Sequence, residues 1–83
     1  MDAIAANPDE SDLEAVIEVI ESYEDECMNQ DDIEHRMQNK GYSDAETLFL
    51  LIQSEGQGRI ERKEVMHSTG KLESGIYYSI NNS

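Results

Sequence analysis

The side chains best suited to metal or nucleophilic chemistry are few: one cysteine, Cys27, and two histidines, His35 and His67. They show neither the C-x-x-C nor the H-x-x-x-H spacing that lets neighbouring ligands close on one zinc ion, so no metal site and no cofactor is expected. Cys27 reads as a small, partly buried side chain beside Met28, His35 as a surface residue between Glu34 and Arg36, and His67 as part of a loop tip. The acidic stretch around Asp9 and Asp12 lacks the alternating Asp or Asn ligands, the central Gly and the closing Glu of a calcium loop. No serine sits in a strand-turn-helix nucleophile motif. The expectation is a protein that works by contact and not by catalysis.

Charge is the chemistry the chain does carry. Among 83 residues there are 19 Asp and Glu against 6 Lys and Arg, a formal net charge of −13. Thirteen of the acids lie in residues 1–35, which hold no Lys or Arg, and the rest of the chain is formally neutral. Glu14, Glu18, Glu21, Glu24 and Asp25 fall beside an apolar stripe and form a candidate acidic face for a basic partner. Like charges at i,i+4, Glu14 with Glu18 and Glu21 with Asp25, each cost about a few tenths of a kcal/mol, and no neighbouring cation in that segment relieves them. Arg59, Arg62, Lys63 and Lys71 make the one cationic group, suited to phosphate contacts or to pairing with Glu61, Glu64 and Glu73. Leu50 and Leu51 are the candidate apolar anchor for a partner or a second copy.

Local signals place these residues on elements. Residues 1–7 are small and uncommitted and are expected to fray, and 81–83 form a tail. Asn7-Pro8-Asp9-Glu10 opens a helix, with a capping box at Ser11 and Glu14 as a competing start. Its core stripe is Leu13, Val16, Ile17, Ile20 and Tyr23. Cys27-Met28 is a link or a very short strand. Asn29 caps a second helix that buries Ile33 and Met37 and stops at Lys40-Gly41. Ser43-Asp44-Ala45-Glu46 is a capping box for a third, with Ala45, Leu48, Phe49 and Ile52 as its buried stripe and Leu50 and Leu51 widening it. The glycines of Gln53 to Gly58 end it. Arg59 to Met66 and Leu72 to Ile80 then alternate as a β-hairpin, with Ile76, Tyr78 and Ile80 on one face, Tyr77 and Ser79 on the other, and His67-Ser68-Thr69-Gly70-Lys71 at the tip.

Helix, link, helix, tight turn, helix and hairpin is a mainly α, α+β order in one domain over residues 8–80, and it resembles the winged helix-turn-helix superfamily over about residues 10–80. The resemblance rests on Asp32-Ile33 to Gly41-Tyr42-Ser43 at the inter-helix turn, Glu55-Gly56 to Arg59-Ile60-Glu61-Arg62 at the wing entry, and Ile76-Tyr77-Tyr78 in the returning strand. It implies three helices followed by a two-stranded wing, with the third helix in a DNA major groove and the wing on backbone. The third helix here, Ser43 to Glu55, holds Asp44, Glu46 and Glu55 and no Lys or Arg. The expected function is therefore that of an acidic, protein-interacting relative, an adaptor or a nucleic-acid mimic that inhibits by occupying a basic surface of a protein or nucleoprotein complex. The alternative is a dimeric DNA-binding transcriptional regulator that uses the wing and the third helix. No stretch approaches the ~18 apolar residues of a membrane span, and Met1 to Ile4 lacks the basic start of a secretory signal, so a cytoplasmic monomer or homodimer is expected.

Overall fold

A computed structural model describes residues 9–68, 70 and 72–81 of the chain. Asn7, Pro8, Lys71, Asn82 and Ser83, on which parts of the sequence reading fall, lie outside the described residues, as do residues 1–6 and Thr69. The element order is α1 (Glu10–Glu21), β1 (Met28–Asn29), α2 (Gln30–Asn39), α3 (Asp44–Gly56), β2 (Ile60–Val65) and β3 (Gly75–Ile80).

The helix ends follow from single residues. Asn29 accepts a hydrogen bond from the Asp31 backbone N–H at 2.8 Å and so caps α2. Ser43 and Glu46 complete a capping box on α3, with the Glu46 N–H donating to Ser43 Oγ and the Ser43 N–H to Glu46 Oε1. Both helices finish in the same way. Gly41 (φ 98°) donates to Gln38 and Tyr42 to Met37, while Gly58 (φ 76°) donates to Glu55 and Arg59 to Ser54. This left-handed glycine cap satisfies the last carbonyls and turns the chain sharply. At α1 the N-cap is Asp9, which makes no side-chain cap bond, and the helix ends at Glu21. Ser22 Oγ donates to the Val19 carbonyl there. Tyr23, Glu24 and Asp25, expected to continue the helix, lie beyond its end, so Glu21 and Asp25 are not neighbours on a helical face.

The expected two-stranded wing is a three-stranded antiparallel sheet in the order β1-β3-β2. β2 pairs with β3 from Ile60 opposite Ile80 to Val65 opposite Gly75, and β1, shifted one residue from the expected Cys27-Met28 link, supplies the third strand, Met28 opposite Tyr78 and Asn29 opposite Tyr77. The core joins Leu13, Val16, Val19 and Ile20 of α1 to Met28, Ile33, Met37, Leu50, Leu51, Ile60 and Tyr78. Val19 joins the α1 stripe, while Ile17 and Tyr23 are half-buried beside it. Tyr77 lies outside that cluster yet is buried, and its hydroxyl donates to the Glu73 carbonyl at 2.8 Å. Among the described residues no helix is long and apolar enough to cross a membrane.

Helix α3 turns the other way from the sequence expectation. Its buried residues are Thr47, Leu50, Leu51 and Ser54, each fully enclosed, while Ala45 is exposed, Leu48 is 40% exposed, Ile52 is 54% exposed and Phe49 is half-buried. Both sets repeat at i, i+3, i+4 and i+7, which suits a helical face equally well. Leu50 and Leu51 pack into the core shared with α1, α2 and the sheet, and that packing settles which face of α3 turns inward. Leu50 and Leu51 are core residues and cannot anchor a partner.

Candidate functional site

On α1, Glu10, Glu14, Glu18 and Glu21 fall within an arc of about 80° at roughly 100° per residue. The N-terminal end of this face is answered from across the fold. Arg59 donates through Nη1 to Glu10 Oε2 and through Nη2 to Glu14 Oε2, both at 2.8 Å. Its backbone is held on both sides, by its own N–H to Ser54 and by the Asn81 N–H donating to its carbonyl, so the guanidinium is presented at a set place. The Arg59 hydrogen bond holds the Glu14 carboxyl below the usual range, and the two carboxylates raise the Arg59 guanidinium above its ordinary value. One arginine therefore relieves the Glu10–Glu14 pair, and neither Arg59 nor Glu14 is free for a partner.

Further along, Glu18 and Glu21 line a cleft of about 380 Å³ with Val19, Ser22, Arg36 and Lys40. The cations come from α2, and the Arg36 guanidinium carbon also sits 5.8 Å from the centre of the Tyr23 ring. This flank is balanced in charge. The concentration of acid lies elsewhere, in a groove of about 460 Å³ whose lining includes Asp25, Asp31, Asp32 and Glu73 together with Cys27, Asn29 and Tyr77. No cation is among its described lining residues. Asp31 and Asp32 occupy the first turn of α2, where the helix dipole favours negative charge, which is why the fold tolerates them so close together. Glu24, one residue before Asp25 in the chain, is exposed. Asp31, Asp32 and Glu73 are additions to the acidic face read from the sequence. The sequence pattern places Asp31 and Asp32 at the start of the second helix and Glu73 in the wing, and only the approach of β3 to β1 brings the two regions together.

Among the described residues, Arg59, Arg62 and Lys63 do not form one cluster. Arg59 is engaged with α1. Arg62 and Lys63 follow one another in β2, opposite Tyr78 and Tyr77, so they point to opposite faces of the sheet. Arg62 lies 3.7 Å from Glu64, a loose and exposed pair, and Lys63 is exposed. Lys71 is outside the described residues. Cys27 is half-buried, and His35 and His67 are exposed in separate parts of the chain. Among the described residues no group of three or more His, Cys, Asp or Glu side chains could hold a metal ion, the acidic groove included.

No family model, no curated protein and no solved structure matches the chain. The reading of function therefore stands on these surfaces alone.

Proposed function

We propose that the chain is a non-enzymatic contact protein of winged-helix architecture that docks on a basic surface of a protein or nucleoprotein complex, as an adaptor or as an inhibitor that imitates phosphate charge. The carrying observation is the groove in which Asp25, Asp31, Asp32 and Glu73 converge with no cation among its described lining residues. Carboxylates gathered at one place steer a cationic partner and fix its register, and the effect weakens as salt screens it beyond a Debye length of about 8 Å at 0.15 M. Glu24, exposed beyond the end of α1, adds to the same field, whereas Glu18 and Glu21 are offset by Arg36 and Lys40.

The DNA-binding alternative has less support. Strong duplex binding draws on roughly 6–10 phosphate contacts. Here Arg59 is committed to Glu10 and Glu14, Arg62 and Lys63 diverge, and α3 turns Leu48 and Ile52 outward where base-reading amides and guanidinium groups would be needed.

The test compares two charge-matched variants against one oligolysine peptide. Neutralising the groove with Asp25→Asn, Asp31→Asn, Asp32→Asn and Glu73→Gln should weaken binding about tenfold, the equivalent of about 1.4 kcal/mol. Neutralising Asp9, Glu34, Glu61 and Glu64 instead, which lie outside the groove and outside the outward face of α3, should change it by less than about threefold. Equal losses in the two variants would mean that only net charge matters, and the groove would have no role of its own.

A further inference from the structure

Among the described residues, nothing fully covers the outward face of α3. Ala45, Leu48, Phe49 and Ile52 recur at helical spacing, opposite the buried Thr47, Leu50, Leu51 and Ser54, with Ile52 54% exposed and Leu48 40% exposed. An apolar stripe on the outside of a small, highly charged domain is held there against the hydrophobic effect. Its borders are acidic. At about 100° per residue, Asp44 and Glu55 run along one side of the stripe and Glu46 along the other, and Asp44 to Gly56 contains no Lys or Arg.

We infer that this face of α3 receives an amphipathic helix of a partner protein, one that carries an apolar stripe flanked by Lys and Arg. The inference rests on the contact reading above and adds to it a second surface with a defined occupant. Charge complementarity selects that occupant. A second copy of this chain would set Asp44, Glu46 and Glu55 against the same residues, between two molecules of formal charge −13 each. A helix with apolar residues at i, i+3, i+4 and i+7 and basic flanks would cover Leu48 and Ile52 and pair with the borders instead. The apolar stripe supplies affinity, and the acidic rim orients the incoming helix and speeds its approach.

The experiment uses the full chain and a fluorescein-labelled peptide of about 18 residues, designed with leucines at helical spacing and lysines on both flanks. A second peptide has the same composition in scrambled order. Anisotropy titrations at about 0.15 M salt should show saturable binding of the patterned peptide, at least about tenfold tighter than the scrambled one. The Leu48→Gln, Ile52→Gln double variant should lose that difference while keeping its circular dichroism spectrum, because both side chains are exposed. Asp44→Asn with Glu55→Gln should weaken the patterned peptide and flatten its salt dependence. Equal affinity for the two peptides, or unchanged binding by the double variant, would overturn the inference. The contact reading would survive either result, since it fails only if the groove-neutralised variant binds oligolysine no more weakly than its charge-matched control. A wild-type chain that sediments as a dimer where the double variant is a monomer would also overturn it, by showing that a second copy covers the stripe.

Discussion

Replacing Thr47 by Val should stabilise the protein. Thr47 is fully buried on the inward face of α3, and its hydroxyl has no hydrogen-bond partner. Its backbone N–H is already satisfied by the Ser43 carbonyl at 2.9 Å, so the cost belongs to the side chain alone. An unpaired buried hydroxyl costs about 1–3 kcal/mol. Valine has nearly the same shape and places a methyl group where the oxygen stood, so the space stays filled without a cavity. The two residues differ little in helix propensity, which leaves the desolvation term as the main change. The expected gain is about 1–2 kcal/mol, with a rise in Tm of about 4–8 °C for each kcal/mol in a domain of this size. Urea denaturation followed by far-ultraviolet circular dichroism would measure it, with the slope unchanged and the midpoint raised. Thr47→Ser is the control, since it keeps the hydroxyl and removes the methyl group, and should lose stability. If Thr47→Val were neutral or destabilising at an unchanged slope, the hydroxyl would have a partner in solution and the reasoning would be refuted.

The tyrosine bridge between α1 and the α2–α3 turn predicts a pH effect. The Tyr42 hydroxyl donates to Asp12 Oδ1 at 2.6 Å, and this bond, with partial burial and the carboxylates of Asp12, Glu46 and Asp9, pushes its pKa up to about 12. Its folded value lies above the unfolded value of about 10, so the stabilisation is fully present below pH 10 and is lost as pH rises through about 12. Tyr42→Phe should cost about 1 kcal/mol at neutral pH and remove that alkaline loss, and an unaltered alkaline limb in denaturation curves would contradict the assignment. Gly41→Ala isolates backbone strain, because a Cβ there would meet no atom within 4 Å while φ stays at 98°. It should lower stability by about 1–2 kcal/mol, and a loss below the error of a urea titration would show that the turn relaxes to another conformation.

Local chemistry was legible in the residues. The Asn29 cap, the Ser43–Glu46 box and the glycine stops at Gly41 and Gly58 each depend on groups within about four positions of one another, and backbone sterics act the same way wherever the segment ends up. The β2–β3 hairpin belongs to the same class, since its strands are close in the chain. The acidic bias of residues 1–35 was equally plain as a composition. The orientation of α3 was not, because Ala45, Leu48, Phe49 and Ile52 form a more apolar stripe than Thr47, Leu50, Leu51 and Ser54, and pattern alone favours burying the former.

Three features came only from the assembled chain. Met28 meets Tyr78 to complete the sheet, Arg59 reaches back to Glu10 and Glu14, and Asp25, Asp31, Asp32 and Glu73 converge on one groove. Each joins residues far apart in sequence, so its formation depends on how the helices pack and not on any local preference. Residue types and spacing determined which segments are helices, where two of them stop, and that the protein carries a large excess of negative charge. Tertiary packing decided which carboxylates are neutralised, which ones gather, and which face of α3 is left to the solvent, because burial and charge pairing are settled only when distant segments compete for the same space.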